Sequence, residues 1–516
     1  MKKFAAGWRR SDPVAASFTA EDAADTQALL KTGFDSLYCS YVLLRIADGN
    51  RARAWLRTQA SKVTRFDQIG GGQRLTRALQ IAFTAAGLGK LGLDPAVLEQ
   101  FSPEFTVGLA DDPSRSRRLG DLGQNDPSNW LWGRGDSEPH VLLMLFDEGD
   151  RIRTLAEGVR SNALAAGFAS GIILDSGDMG DREPFGFHDG ASQPTIDWKG
   201  HRAPGSESDM DFHNLIATGE FLLGYPNEYG LYTDRPLLPT QQPGAAALPP
   251  AEDEPGLRDL GRNGTYLVFR QLDQDVRGFW RWVQREAGGA DGPALALAEA
   301  MVGRHIDGEP FAALGRQDVS GTANKPGYPR NDFTYARDRA GTVCPIGAHI
   351  RRANPRTGDY PTGRTGLIKR LLTMFGLTGT AEDDRIASTR FHRILRRGRE
   401  YGTELDRHEA LKPEAPDPQS GLHFICLNAN PARQFEFVQG AWLASAKFAG
   451  MSNEQDPLLG NRVPFPGTQP TDRFTRPTAD GPCLVSAGLP QFVTVVGGAY
   501  FFLPGLRALD WLLADR

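Results

Sequence analysis

The stretch HVLLMLFDE, residues 140–148, decides the fold class together with the two segments that follow it. It is a short apolar run that ends in two acidic residues, which is typical of a buried strand. RIRTLAEGVRSNALAAG (151–167) then shows helical spacing, and ASGIILDSGDM (169–179) has the composition of a second strand. Because strand, helix and strand follow one another, the sequence indicates an α+β domain.

The last third of the chain repeats this order. NGTYLVFRQLDQDV (263–276) predicts a strand that enters a helix, and GLHFICLNAN (421–430) predicts a second strand. RQFEFVQGAWLASAKF (433–448) predicts a helix, and QFVTVVGGAYFFLP (491–504) predicts a strand near the end. The run YVLLRI (41–46) fits a strand or a helix, because a short apolar run does not separate the two. Both halves of the chain therefore look like α+β units.

Two segments between these elements look like insertions. LLPTQQPGAAALPPAEDEPG (237–256) is rich in proline, glycine and acidic residues, which favours a linker or a long loop. The stretch 353–390 begins with a break and contains LLTMFGL (371–377), which predicts a short helix inside an insertion.

Composition limits the classes of function. The chain has 516 residues, with 58 Lys and Arg against 63 Asp and Glu, so its net charge is -5. This balance argues against a dedicated binder of nucleic acids or anionic membranes. The four cysteines form no C-x-x-C pair, which argues against a zinc ribbon or a dithiol redox site. No apolar stretch approaches transmembrane length and no signal-peptide run is present, so we expect a cytoplasmic protein without a membrane segment.

The segment FGFHDGASQP (185–194) is the first candidate functional site. Its Asp-Gly pair predicts a tight turn, and an isolated pair of this kind is usually a surface turn. Here aromatic residues surround Asp189, which favours a partly buried carboxylate with a shifted pKa. Such a group can act as a general acid or base.

Three further segments combine His and Arg with apolar residues. CPIGAHIRRANPR (344–356) places His349 before a basic run, FHRILRRGREYG (391–402) is strongly basic, and GLHFIC (421–426) has the pattern of a core strand. Taken singly, His349 fits a structural hydrogen-bonding residue, and the basic runs fit a solvated surface or an anion site. The residue types alone leave these alternatives open.

Together, the four segments resemble the dye-decolourising peroxidase family of haem enzymes. Gly186, Asp189 and Gly190 match the family's G-x-x-D-G signature. GAHIRRANPR resembles its proximal histidine segment, ILRRGREYG its distal arginine segment, and GLHFICLN the strand that covers the distal pocket. The segments follow the family's order, and the resemblance extends over nearly the whole chain. One departure is Gly398, where some members carry an asparagine.

The resemblance implies an α+β fold of two ferredoxin-like domains, each an antiparallel sheet with helices. We place the first domain at residues 1–235, which carry the Asp189 loop, and the second at residues 236–516. The resemblance also implies one haem b per chain, in a cavity mainly of the C-terminal domain, with the Asp189 loop reaching over it.

The resemblance further implies the catalytic roles. Asp189 would move the peroxide proton, and Arg396 would stabilise the charge that develops as the O–O bond breaks. His349 would be the axial ligand of the haem iron. Its second ring nitrogen needs a carboxylate partner, for which Asp456 is the first candidate and Glu436 the second.

Four more residues are expected around the cofactor. Arg351 and Arg356 are close to His349 in sequence and are candidates for binding the haem propionates. Leu422 and Phe424 would face the distal pocket and cap it. Bulky donors would then have to pass their electron through an aromatic residue at the surface. The candidates by residue type are Trp280, Trp282, Trp442 and Tyr500, for which core packing is the other interpretation.

The function that follows is a haem-dependent peroxidase, which reduces hydrogen peroxide and oxidises dyes, phenolics or other one-electron donors. An alternative with the same fold is a haem-binding or iron-handling protein with only incidental peroxidase turnover. A haem-free α+β protein, in which Asp189 and His349 are structural, is a further alternative. A nucleotide enzyme is disfavoured because IGGGQ (69–73) lacks the G-x-G-x-x-G order, and no H-E-x-x-H spacing supports a zinc enzyme.

Overall fold

The structure is a computed structural model of the chain. It describes residues 17–70, 74–149, 151–190, 192–200, 214–311, 331, 333–335, 338–356, 389–463 and 469–515. The helix predicted at 371–377 lies outside the described residues.

The strands within the described ranges are short in the loops and long in the core. They are β1 (Tyr38–Ile46), β2 (Arg77–Phe83), β3 (Val141–Asp147), β4 (Phe168–Asp175), β5 (Thr195–Asp197), β6 (Leu215–Ala217), β7 (Leu237–Pro239), β8 (Leu257–Asp259), β9 (Thr265–Gln274), β10 (Leu395–Arg396), β11 (Arg399–Gly402), β12 (Ser420–Asn428), β13 (Phe474–Arg476), β14 (Leu484–Ser486) and β15 (Val493–Leu503).

The α-helices of the same ranges mostly flank these strands. They are α1 (Ala20–Asp25), α2 (Gly49–Ala60), α3 (Ala85–Lys90), α4 (Pro95–Leu98), α5 (Pro103–Val107), α6 (Pro113–Leu119), α7 (Ile152–Ala165), α8 (Val276–Glu286), α9 (Asp291–Val302), α10 (His349–Ala353), α11 (Arg407–Leu411) and α12 (Leu506–Leu513).

The first half of the chain forms a ferredoxin-like motif. Its elements follow the order β1, α2, β2, β3, α7, β4, and its strands lie side by side as β2-β3-β1-β4 with antiparallel pairing. The run 41–46 is therefore a strand, and β3 is buried along its whole length. Burial on both faces explains why these strands read as unbroken apolar runs. The strand, helix and strand predicted from 140 to 179 are confirmed.

The second half repeats the motif around β9. Here β9 leads through α8 to β10 and β11, then to β12, and the chain returns to β15. The strands lie in the order β10-β12-β9-β15, with β11 also paired to β12. The helix predicted at 433–448 is present as two π-helical segments, Ala432–Glu436 and Val438–Leu443. π-Helical turns are rare and often lie at functional sites.

The two motifs share one sheet. β15 pairs with β2 at Phe502 and Phe83, so nine of the described strands form one continuous sheet. Apolar clusters cover both of its faces: Val42 and Val268 belong to one, Tyr41 and Phe269 to the other. The predicted α+β class with two ferredoxin-like units is confirmed. A boundary at 235/236 falls between β4 and β9 and stays a prediction.

This arrangement positions the candidate site residues. Asp189 lies in the loop after β4, His349 begins α10, and Arg396 ends β10 beside the central strands. None of the helices in the described ranges has the length and apolar character needed to cross a membrane.

Candidate active site

Asp189 and Arg396 form a direct ion pair. Arg396 Nη1 donates to Asp189 Oδ1 at 3.0 Å. Gly186 and Gly190 flank the acid with φ of 95° and 75°, a region that favours glycine, which explains both glycines of the signature. The two side chains are 207 residues apart in sequence, so the fold alone brings them together.

A glutamine fixes the two partners to each other. Gln193 Nε2 donates to the Arg396 carbonyl at 3.2 Å, and the Arg396 N–H donates to Gln193 Oε1 at 3.1 Å. The Gln193 side chain thus bonds to both backbone groups of Arg396, as a neighbouring strand would. The Asp189 loop and β10 are therefore connected by these two hydrogen bonds as well as by the ion pair.

The environment keeps the Asp189 carboxylate ionised. Burial alone would raise its pKa, but the Arg396 charge and hydrogen bond and the Gly190 N–H outweigh burial and hold the pKa below its usual range. At neutral pH Asp189 is consequently a carboxylate that can accept a proton.

His349 is oriented by a buried carboxylate. Its Nδ1 lies 2.9 Å from Asp456 Oδ2, and Asp456 is fully buried. The other oxygen, Oδ1, accepts the N–H groups of Leu458 and Leu459 at 2.9 and 2.8 Å. These donors lock the carboxylate, so Asp456 fixes the plane of the His349 ring. Because Nδ1–H donates to the carboxylate, Nε2 is the nitrogen that carries the lone pair when the ring is neutral.

The pair His349–Asp456 is electrostatically coupled. Burial lowers the pKa of His349, but the Asp456 charge and hydrogen bond outweigh it and raise the pKa above its usual range. Burial likewise acts to raise the pKa of Asp456, which its contact with His349 and the charge of Arg352 lower overall. Asp456 is therefore an ionised acceptor that makes His349 a more electron-rich ligand.

His349 and Asp189 are both partly accessible. The accessible fraction is 26% of the His349 side chain and 44% of the Asp189 side chain. The Arg396 charge also lowers the pKa of His349, so the two residues are within electrostatic reach of each other.

Leu422 and Phe424 lie beside the ion pair, and their role as a cap of the distal pocket stays a prediction. They line a cavity of about 380 Å³ together with Asp189 and Arg396. The cavity extends to Tyr38, which is 40% exposed, so it connects the ion pair with the surface. It is a candidate path for a small substrate.

A cluster of arginines lies beside the site. Arg393 donates to the amide oxygens of Asn214 and Asn354, and no carboxylate of the described residues is within ion-pair distance of it. Burial lowers its pKa to about 9, and the nearby charges of Arg356, Arg390 and Arg396 add to this effect. A partly buried arginine whose charged neighbours are also cations favours binding of an anion.

Haem fits this set of donors. Its iron requires an electron-rich nitrogen, which His349 Nε2 offers, and its two propionates require cations, which the cluster around Arg393 offers. Arg304 belongs to the same cluster, because the charges of Arg356 and Arg396 act on it after burial has lowered its pKa to about 10. The described residues contain no group of three His, Cys, Asp or Glu side chains that could hold a bare metal ion.

Arg351 has a carboxylate partner. Its Nη1 donates to Asp338 Oδ2 at 2.9 Å, and the residue is buried. The guanidinium thus anchors α10 to Asp338, and its expected role at the propionates stays a prediction. Arg356 donates to the Asn331 and Phe333 carbonyls, and its role at the propionates stays a prediction.

The second carboxylate candidate, Glu436, and the aromatic candidates make contacts other than the expected ones. Glu436 pairs with Arg115 at 2.8 Å and accepts a hydrogen bond from Tyr500, so it is not the partner of His349. The aromatic candidates for electron transfer are packed in the core, and each is less than 10% exposed: Trp280, Trp282, Trp442 and Tyr500.

Sequence reasoning missed four residues of the site. Gln193 belongs to the quoted segment FGFHDGASQP, and Arg393 is three positions before Arg396, so both were within reach. Arg304 follows α9, where a lone arginine gives no signal. Glu183 precedes the signature and donates its backbone N–H to the Phe187 carbonyl at 2.9 Å.

Comparisons with known proteins agree with this arrangement. No model of a protein family matches the chain. The chain is 29% identical to the multifunctional dye peroxidase DyP2 of Amycolatopsis sp., over 84% of this chain and 83% of that protein. It is 27% identical to peroxidase 2 of Mycetinis scorodonius, over 84% of this chain and 76% of that protein.

Solved structures show the same fold. A fungal DyP-type peroxidase from Auricularia auricula-judae matches with a TM-score of 0.69 and 22% identity, over 95% of this chain and 99% of that chain. A dye-decolourising peroxidase in complex with 2,6-dimethoxyphenol matches with a TM-score of 0.68 and 21% identity, over the same shares. The chain is therefore similar in sequence and in fold to dye-decolourising peroxidases over most of its length.

Proposed function

We propose that this protein is a haem-dependent peroxidase that reduces hydrogen peroxide and oxidises phenolics, dyes or other one-electron donors. The observation that carries the proposal is the Asp189–Arg396 ion pair at the wall of a cavity, with His349 within electrostatic reach of Arg396. An ionised carboxylate, a fixed cation and an oriented imidazole are the three groups that heterolytic cleavage of peroxide requires.

One haem b per chain is the cofactor that we infer. His349 would hold it through Nε2, and Arg393, with Arg304 and Arg356 beside it, would bind its propionates. When bound, the haem supplies the redox centre for cleavage of the O–O bond and for the oxidation of donors.

Asp189 is the group that moves the proton. As a carboxylate it takes one proton from hydrogen peroxide and returns it to the oxygen that leaves as water. Its pKa below the usual carboxyl range keeps it free to accept that proton in neutral and mildly acidic solution. Accessibility of almost half of its side chain allows peroxide to reach it.

Arg396 stabilises negative charge during the same step. Its guanidinium stays protonated and offers donors in a fixed plane. Nη1 is engaged with Asp189, and the side chain is 34% exposed, so it also reaches into the accessible space. When Asp189 becomes neutral on accepting the proton, Arg396 regains an uncompensated charge beside the leaving oxygen.

His349 and Asp456 hold the opposite end of the arrangement. The 2.9 Å contact keeps the proton on Nδ1 and the lone pair on Nε2. Full burial of Asp456 prevents water from competing for that hydrogen bond. The ring therefore keeps one orientation and one tautomer through the reaction.

Phenolics are the donors that we propose first. The cavity that leads to Asp189 has about 380 Å³, which suits peroxide or a single aromatic ring and excludes a large dye. The complex of a similar solved structure with 2,6-dimethoxyphenol supports donors of this size.

An absorption spectrum of the purified protein tests the proposal. The expected result is a Soret band of a histidine-ligated haem that changes within seconds when hydrogen peroxide is added, followed by recovery when a phenol is supplied. Steady-state oxidation of the phenol then separates an enzyme from a haem carrier with incidental turnover. A haem-loaded protein whose band does not respond to peroxide would contradict the proposal.

A further inference from the structure

The loop that carries Asp189 is closed by one carboxylate, that of Glu183. Glu183 Oε2 accepts the N–H of Phe185 at 3.1 Å, and Oε1 accepts the N–H of Phe187 at 3.0 Å. The backbone adds two bonds, since Gly186 N–H donates to the Glu183 carbonyl at 2.8 Å and Glu183 N–H donates to the Phe187 carbonyl at 2.9 Å. A single side chain thus fixes the turn that ends two residues before Asp189.

The same carboxylate fastens this turn to the central sheet. Gln274 Nε2 donates to Glu183 Oε2 at 2.9 Å. Gln274 is the last residue of β9, which is paired on one side with β12 and on the other with β15. The indole N–H of Trp280, on α8, adds a second fastening by donating to the Phe185 carbonyl at 3.1 Å. β9 is therefore a rigid support for the loop.

Arg396 is held by another part of the same sheet. It ends β10, which pairs with β12, the neighbour of β9. The distance between Asp189 and Arg396 thus depends on how the loop and β10 are each attached to this sheet. The loop is also held by the Asp189 N–H, which donates to the Asp181 carbonyl at 2.9 Å, and by Gln193, but within the turn itself Glu183 is the side chain that connects it to β9. Loss of that connection should loosen the carboxylate relative to its cation.

We infer that Glu183 is a positioning residue for Asp189, whose carboxylate fixes the loop against β9 through Gln274 and so sets the place of the catalytic acid. The inference rests on the proposed peroxidase function and assigns to Glu183 no contact with peroxide or haem.

The surroundings of Glu183 fit this role. Burial raises its pKa to about 7, the Gln274 amide and the N–H groups of Phe185 and Phe187 act in the opposite direction, and the Asp189 charge adds to the rise. Three donors aimed at one carboxylate recover part of the cost of burying it. An apolar or shorter side chain would leave those donors without an acceptor, which is costly for buried N–H groups.

The test compares Glu183→Gln with wild type in the haem-loaded protein. Glutamine keeps the shape but puts an NH₂ group where Oε2 accepted two donors. We expect the second-order rate constant for reaction with peroxide to fall about tenfold, because a carboxylate displaced by about an ångström loses its alignment. The KM for the phenolic donor should be unchanged. Hydrogen exchange of the peptide that contains residues 183–190 should become faster.

A swapped pair shows whether position is the cause. In Glu183→Gln/Gln274→Glu the carboxylate at 274 can accept from the new amide, so the attachment to β9 returns. We expect this double variant to recover part of the lost rate and of the exchange protection. The control is Glu138→Gln, which removes another carboxyl whose burial raises its pKa to about 7, remote from the loop. It should leave both measurements at the wild-type value.

The outcomes distinguish failure of the proposed peroxidase function from failure of the positioning role of Glu183. If wild type does not react with peroxide, the proposed function fails. If wild type reacts and Glu183→Gln reacts equally fast with the same exchange, the positioning role fails and the function stands. A loss that the swapped pair does not recover also overturns the positioning role. Should Glu183→Gln not fold, Gln274→Leu removes only the attachment to β9, and an unchanged peroxide rate in that variant overturns the inference.

Discussion

Two ion pairs of nearly equal length differ in almost every other respect. Asp456 lies 2.9 Å from His349 and is fully buried, whereas Asp189 lies 3.0 Å from Arg396 with 44% of its side chain accessible. Asp456 also accepts two backbone N–H groups, so its place is fixed by the chain around it. Asp189 accepts one backbone N–H, that of Gly190, together with the Arg396 guanidinium, and its loop is further held through Glu183 and Gln193.

This difference distinguishes a carboxylate that orients a ligand from one that takes part in the reaction. A carboxylate that must orient a ligand gains from burial, because water then cannot replace its hydrogen bond. A carboxylate that must exchange a proton with substrate needs access, and a cation has to compensate for the enclosure. Substitution of a residue in either pair should therefore affect different properties, namely haem binding for the His349–Asp456 pair and the peroxide rate for the Asp189–Arg396 pair.

The largest effect is expected for His349→Ala. This variant removes the nitrogen that Asp456 orients, so the protein should lose bound haem or its histidine-ligated spectrum, and peroxidase activity with it. The measurement is the absorption spectrum of the purified variant after haem addition. A Soret band and activity like those of wild type would contradict the assignment of His349.

Asp189→Asn should leave haem binding intact and slow the peroxide reaction. Asparagine has nearly the size of aspartate and keeps one hydrogen bond to Arg396, but it cannot accept the proton. The second-order rate constant for the reaction with peroxide should therefore fall by a factor of about 10² to 10⁴. Stopped-flow absorption at the Soret band measures it. A rate within threefold of wild type would exclude Asp189 as the acid–base group.

Asp456→Asn is expected to have a smaller effect, and on the other side of the comparison. The ring of His349 loses its charged partner, so haem affinity should fall by roughly 10- to 100-fold. Titration of the haem-free protein with haem measures the affinity. Glu436→Gln is the matched control, because Glu436 pairs with Arg115 and should not affect haem affinity. Equal losses in both variants would argue against a specific role for Asp456.

Much of the fold was predictable from the sequence. A strand buried on both faces, such as β3, is a nearly unbroken apolar run, and the helix after it shows its own period. The π-helical form of residues 432–443 was not predictable, because a π turn and an α turn place apolar residues at nearly the same spacing. The pairing of β15 with β2 depends on one residue pair and has no sequence pattern of its own.

The site was predictable where a segment carries a distinctive combination. The pair Asp189–Arg396 followed from two such segments, and Asp456 was the first of two carboxylate candidates. The partner of Arg351 could not be predicted: the residue is close to His349 in sequence, but its guanidinium pairs with Asp338. Arg393 was read as part of a surface charge run, because burial without an acid partner cannot be seen in a sequence.

The smallest effect is expected from pH in the wild-type protein. Burial acts to raise the pKa of Asp189, but Arg396 and the Gly190 N–H outweigh it, so the pKa lies below its ordinary value of 3.8. The carboxylate is then ionised throughout the range from about pH 5 to 8, and its titration should change the peroxide rate less than about twofold there. The rate should fall only as the pH drops below about 4 and the carboxylate takes up a proton. In Arg396→Gln the compensating cation is gone and burial prevails, so the acid limb should move to higher pH. Stopped-flow rates across this range test both statements, and a wild-type limb above pH 5 that disappears in Asp189→Asn would contradict them.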